Sequence, residues 1–211
     1  MRARLEGPSL VDVIGIVKGL KSSGDLVDSM LRREKYDVIM LAITEDEVAG
    51  LRDFVKHPYE VEMDDIELIY EYLIRRFGET SIPPEAFVRA IKLGDSIGSS
   101  VIGIDIPSGK YEELFVANIP LTDLIWLSLQ KKRLIRRKWD FTDPEQFSIQ
   151  WDKIVNRKGY RKMEEERESY MAKEISEKKG VSTLAIIEVE RFSGVVFHLE
   201  NLLQGYKLQM S

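Results

Sequence analysis

Several side chains that can carry chemistry fall where apolar runs of this chain give out. Lys18 and Lys21 follow the run Leu10 to Val17, and Glu45 follows "YDVIMLAI" and Thr44. Asp105 closes "SVIGIDI", while Glu188, Glu190 and Arg191 close "VSTLAIIEV". If these runs are strands of an open parallel sheet, their carboxyl ends form the rim beyond which ligands sit. Lysine, arginine and carboxylates converging there could bind an anion, hold a metal or run acid–base chemistry. The plain alternative is that strand ends meet water and collect charge for that reason alone.

Three chemistries are open on these residues. Glu45, Asp105 and Glu190 are the candidates for a catalytic carboxylate set, and an all-oxygen set favours magnesium or manganese over zinc. Lys18 and Lys21, with the amino terminus of the helix that follows, are candidates for holding a small anion or a nucleotide. Here "GIVKGLKS" falls one residue short of a phosphate-binding loop, because Leu20 occupies the place of the second glycine. Glu188 and Arg191 complete the rim as ligand-binding candidates. His57, beside Pro58, reads as a surface histidine, and His198 as a partly buried one at a strand end.

The elements that must position these groups follow from periodicity. Leu10–Val17 reads as a buried strand, and "SSGDLVDSMLRREK" as a helix with Ser22 or Ser23 as its cap. A second strand, "YDVIMLAI", leads into a helix opened by Thr44 with Glu47 three residues on, a capping box. Helices are expected over "DDIELIYEYLIRRFG" and from the two prolines Pro83 and Pro84 to about Gly98, then a strand ending at Asp105. "PSGKYEELFVAN" reads as a loop or irregular segment. Three helices follow: "LTDLIWLSLQKKRLIRRKW", opened by Thr122 or Asp123, "TDPEQFSIQWDKIVN", and a charged one over 160–179. The "EEERE" in the last of these reads as a solvated face. A strand from Val181, a further strand in "GVVFHL" and a last short helix in "LENLLQGYKL" close the chain. The implied class is α/β: a mainly parallel sheet flanked by helices, in one domain over 1–211, with a helical insertion or cap over about 120–178.

Composition narrows the function classes. The chain has 211 residues, 32% of them charged and 44% hydrophobic, which suits a globular fold. Its 31 basic and 36 acidic side chains are mixed along the chain, so a dedicated nucleic-acid binder is not expected, "KKRLIRRK" at 131–138 being the one basic block. The absence of cysteine removes disulfides, thiolate catalysis and cysteine-based metal sites. No cofactor is implied. "MRARLEGPSL" lacks a signal peptide's apolar core and no run approaches a membrane span, so a cytoplasmic protein is expected.

The order of elements resembles the TraB/PrgY family, related to the Tiki peptidases and GumN-type proteins. "VIGIVKGLKSSGDLVDSMLRREKYDVIMLAI" is similar to the family's opening, and "EAFVRAIKLGDSIGSSVIGIDI" to its helix, glycine and strand ending Ile-Asp-Arg-Asp. "LIWLSLQKKRLIRRKW" falls at its long helix. "EEERESYMAKEISEKKGVSTLAIIEVERFSGVV" matches its Glu-Arg-Asp-x-x-Met-Ala helix and following strand through Glu166, Arg167, Met171, Ala172 and Gly194, with Glu168 for the aspartate. The likeness covers roughly residues 10–197 and implies an EreA/ChaN-like fold, with Arg167 among the site residues.

This chain departs from that pattern where the family carries its histidines and glutamates. Lys18 stands at the first histidine, Ala42 at the glutamate ending the second strand, and Arg191 at the late histidine, with Glu188 and Glu190 for the small glycines before it. In Tiki-type members those groups are held to bind a divalent metal for peptide hydrolysis, and a lysine or arginine cation cannot ligate one at neutral pH. The favoured expectation is therefore a non-catalytic TraB/Tiki-like binding or regulatory protein, with a peptide as the ligand the resemblance implies. The apolar stripe Leu124, Leu127, Leu134 and Ile135 reads as core packing or a dimer seam, so a homodimer through the 122–138 helix is expected. The alternatives are a magnesium- or manganese-dependent peptidase or hydrolase with a shifted carboxylate site, and a small-anion or nucleotide binder.

Overall fold

The computed structural model describes residues 1–211. Six strands form one mixed sheet in the order β4-β3-β5-β2-β1-β6. They are β1 (Arg2–Glu6), β2 (Leu10–Ile16), β3 (Val38–Leu41), β4 (Ser100–Gly103), β5 (Ser182–Glu188) and β6 (Lys207–Met210). β2, β3, β4 and β5 run parallel, as expected of apolar strands joined through helices. The chain steps outward from β2 to β3 and β4, then returns to lay β5 between β3 and β2. Register sets Ile16 beside Glu188, so the end of β5 is level with the end of β2.

Nine helices surround the sheet: α1 (Lys21–Arg33), α2 (Glu45–Lys56), α3 (Asp65–Ile74), α4 (Glu85–Ile97), α5 (Ser108–Asn118), α6 (Leu121–Arg136), α7 (Pro144–Val155), α8 (Gly159–Lys178) and α9 (Val189–Leu202). On one sheet face Val27 and Met30 of α1 and Phe87 and Ile91 of α4 cover Ile14, Ile39 and Ile186. On the other, Met171 and Ile175 of α8 and Phe192 and Val195 of α9 cover Val13, Met40 and Ala185. A third cluster lies over the ends of β2 and β5. Ile69 and Leu73 of α3, Leu134 of α6, and Phe147 and Trp151 of α7 close on Val17 and Val189 there. Burial of this apolar surface is the main force holding the helices over the strand ends.

Local signals account for most boundaries. Thr44 accepts from the Glu47 N–H and Glu47 takes the Thr44 N–H, the capping box read from sequence. Gly98 ends α4 at φ 77°, a left-handed conformation that glycine adopts without penalty. Four expectations are corrected. α1 is not capped by Ser22 or Ser23: Leu20 precedes it, and the Ser23 hydroxyl turns back to the Val17 backbone. The "PSGKYEELFVAN" segment is helix α5, whose apolar face is short, only Tyr111, Leu114 and Phe115 at i, i+3 and i+4, and no more than half-buried. "GVVFHL" belongs to α9, because Phe192, Val195, Val196 and Leu199 recur at i, i+3, i+4 and i+7 and all face the core. The expected last helix is instead the end of α9, a turn at Gly205 and β6, which pairs with the edge of β1.

β1 was not foreseen. Its five residues alternate, with Ala3 and Leu5 buried between Arg2, Arg4 and Glu6, too short a pattern to stand out.

Candidate functional site

Beyond the carboxyl ends of the parallel strands lies a cluster of ionisable groups drawn from the rim and from the helices above it. β5 ends at Glu188, and the backbone passes directly into α9, so Glu190 and Arg191 sit in that helix's first turn. Asp105 follows β4, and its Oδ1 accepts the Ile106 N–H at 2.7 Å, which fixes the carboxylate. α8 passes over this rim with Glu164, Arg167 and Glu168. α7 brings Asp152.

Two guanidinium groups organise the cluster. Arg167 donates Nε to Asp105 Oδ1 at 3.1 Å, pairs a second nitrogen with Asp105 Oδ2, and donates Nη1 to Glu164 Oε2 at 2.8 Å. Arg191, 2% exposed, donates Nη1 to Glu168 Oε1 at 2.9 Å, lies 3.3 Å from Glu164 Oε2 through Nε, and pairs with Asp152. Glu164 is thus shared between the two arginines. A Cβ at Gly194 would run into the Glu168 carboxylate, so α9 needs glycine there for α8 to carry a glutamate at this level. Arg161 stands at the solvent side of the network, 3.6 Å from Asp152 and 4.0 Å from Glu168.

Glu188 and Glu190 differ from the rest. Glu188 is 7% exposed, and Oε2 of each is buried with no hydrogen-bond partner. Burial raises the Glu188 carboxyl above its ordinary value, although Arg167 and Lys18 oppose this. Burial, then the neighbouring charge of Glu188, pushes Glu190 up to about 7. Burial is also the first cause raising Glu164, and it pushes Glu168 up to about 7. The field of Glu190 and Glu188 adds to burial in raising the phenol of Tyr70 on α3, whose hydroxyl lies 2.8 Å from Ser148. The site therefore combines Arg167, met by Asp105 and Glu164, with Arg191, whose Nη2 is an ion-pair neighbour of Asp152 but is buried without a hydrogen-bond partner, and whose guanidinium burial pulls down to about 10. Beside them stand the Glu168 and Glu190 carboxyls, pushed up to about 7.

The structure brings together Lys18, Asp105, Arg167, Glu188, Glu190 and Arg191. Lys18 is the solvent-facing member, its ammonium 4.0 Å from Glu67. Two candidates stand elsewhere. Glu45 is exposed on the first turn of α2, where its charge reaches Lys178 near the far end of α8. Lys21 is held by Glu79 at 3.0 Å, outside the cluster. His57 is exposed at the end of α2 and His198 lies in α9, not at a strand end. No three histidine or carboxylate side chains are arranged to hold a metal ion.

Sequence reasoning missed Asp152, Glu164, Glu168 and Tyr70 as site residues. "EEERE" is not a solvated face, because Glu164 and Glu168 are 5% and 4% exposed. A signal was present: they extend toward the helix start the same stripe that carries Met171, Ala172 and Ile175. Acids in register with an apolar stripe face a core, and a buried acid needs a partner.

No protein-family model matches this chain, and no curated protein matches it either.

Proposed function

We propose that this chain is a TraB/PrgY-like binding or regulatory protein without catalytic activity, its EreA/ChaN-like frame presenting a peptide-recognition site at the carboxyl ends of its parallel strands. One observation carries the reading. Arg167 and Arg191 occupy the strand-end position and take up Asp105, Glu164, Glu168 and Asp152, the carboxylates that a metallohydrolase would need free. A guanidinium is permanently cationic and repels a metal ion from the same place. The partnerless oxygens of Glu188 and Glu190 remain, and a peptide's amino group is the kind of ligand that would pair with them.

A second reading, a carboxylate-based magnesium- or manganese-dependent hydrolase, is favoured by one specific feature. Glu190 is held at about 7, the range in which a carboxyl group serves as general acid or base near neutrality. Its expected partner Asp105 is committed to Arg167, which weakens this reading. Anion binding through Lys18 and Lys21 gains no comparable support, since each faces a glutamate.

The test is a thermal-shift titration of metal-free protein with manganese, cobalt, zinc and magnesium, repeated on Glu190→Ala, followed by a short-peptide library on both forms. The binding reading expects no saturable metal effect and peptide hits that weaken in Glu190→Ala. Metal stabilisation that saturates and disappears in the variant would favour the hydrolase instead.

A further inference from the structure

The basic block at 131–138 takes no part in the strand-end site, and α6 presents it in an unusual setting. Leu121, Leu124, Ile125 and Leu129 recur at i, i+3, i+4 and i+8 and are 70%, 36%, 52% and 70% exposed. The helix buries its opposite side, through Asp123 and Leu134, against the rest of the chain. The exposed stripe is followed by "KKRLIRRK", which runs from the last turns of the same helix to two residues past its end at Arg136. Within that block Lys131 meets Asp65 at 2.6 Å, while Lys132, Arg133, Arg136, Arg137 and Lys138 are exposed and meet no carboxylate. The one acid of α6, Asp123, is 6% exposed and accepts the Gly159 N–H at 3.3 Å. The outer side of α6 therefore combines aliphatic and cationic groups with no anion of its own, in a chain whose net charge is −5.

We propose that the outer face of α6 is a docking surface for an anionic lipid bilayer. Aliphatic side chains enter the boundary between headgroups and acyl chains, and the long lysine and arginine stems lie along it with their charged ends on lipid phosphates. Unpaired cations without competing carboxylates are the charge complement of such a surface. Two other occupants fit less well. A second copy paired antiparallel through α6 would set aliphatic turns against cationic ones, and paired parallel would set cation against cation. A nucleic-acid strand would leave the leucines and isoleucine without a partner, and Trp126, the one aromatic of α6, is half-buried with the Arg157 guanidinium 4.6 Å over its ring. The inference concerns peripheral binding only, and no helix here is long and apolar enough to cross a membrane.

The experiment is co-sedimentation of the full chain with vesicles of phosphatidylcholine alone and of phosphatidylcholine with phosphatidylserine, at low and high salt. Binding is expected to the phosphatidylserine vesicles and to weaken with salt. Each cation removed near the surface should weaken it about fivefold, so Lys132→Gln with Arg136→Gln should cost roughly twenty-five-fold. Ile125→Ser with Leu129→Ser should also lower binding, at unchanged charge. Circular dichroism melts of both double variants check that these exposed changes leave the fold intact. Equal sedimentation with both vesicle types, or binding indifferent to both variants, overturns the proposal. So does a dimer in light scattering that Ile125→Ser with Leu129→Ser dissociates, or tighter binding to an RNA oligonucleotide than to vesicles.

Discussion

Asp12 and Glu188 are buried carboxylates on neighbouring parallel strands, and the chain treats them in opposite ways. Asp12, fully buried in β2, accepts from Arg2 at 2.9 Å, from Arg4 at 2.7 Å and from the Tyr36 hydroxyl at 2.9 Å. Burial alone would raise its carboxyl, but these hydrogen bonds outweigh burial and hold it below its ordinary value. Arg2 and Arg4 there face Asp12 and Glu34, so charge balances. At the strand ends, Arg167 and Arg191, with Arg161 and Lys18 on the solvent side, stand among Asp105, Asp152, Glu164, Glu168, Glu188 and Glu190, and the six acids outnumber the four cations. The first cluster is a completed structural joint between β1, β2 and the end of α1. The second is incomplete by one or more positive charges, which a proton or a ligand would supply.

The comparison can be broken most directly through its cations. Arg191→Ala leaves Asp152, Glu164 and Glu168 buried without their guanidinium and should lower unfolding free energy by about 3–5 kcal/mol at pH 7 in urea titrations. Asp12→Ala should lower it less, by about 2–3 kcal/mol, because the side chains of Arg2 and Arg4 keep 31% and 24% exposure and can turn to water. The two should also differ in pH dependence. A carboxyl held below its ordinary value stabilises the fold above roughly pH 4 and loses that contribution as pH falls through its native value. The Asp12→Ala deficit should therefore shrink on acidification. A deficit that grows instead, or exceeds that of Arg191→Ala, would erase the distinction between the two clusters.

How much of this was legible follows from the residues. The parallel strands were plain, since runs such as "YDVIMLAI" are apolar on both faces, and the rim charges followed from where those runs end. The partners above the rim were harder to see. Asp152 and Glu164 belong to different helices, so only the tertiary fold brings them to Arg191. The Asp12 joint was lost with β1, whose alternation spans only Arg2 to Glu6. α9 was misread in part because Val195 and Val196 favour strands, and the wider spacing from Phe192 to Leu199 decides for helix.

Gly194 tests how tightly the acid-rich cluster is packed. Gly194→Ala places a methyl group on the Glu168 carboxylate, which cannot move without leaving Arg191, so a loss of about 1–3 kcal/mol is expected. If Gly194→Ala is neutral, the contact between α8 and α9 has slack, and the cluster is less constrained than the Asp12 joint.

An effect no larger than that at Gly194 is the most specific, and its sign is opposite. Glu190 holds its proton up to about 7 in the folded chain, above the roughly 4.3 of a free glutamate. A group shifted in this direction favours the fold fully below the lower value, and that contribution is lost as pH rises through the higher one. Glu190→Gln keeps the neutral shape and removes the ionisation. It should leave stability unchanged below about pH 4 and raise it by about 1–3 kcal/mol at pH 8. Melting curves of both proteins from pH 4 to 8 read this directly, as a gap in Tm that opens between pH 4.5 and 7. The same substitution at a satisfied carboxylate, Asp12→Asn, should destabilise at pH 8, so the pair of variants separates an incomplete site from a completed one by sign alone. A gap that fails to open would mean that Glu190 is ionised and paired in solution, and the unmet charge at the strand ends would then rest on Glu188.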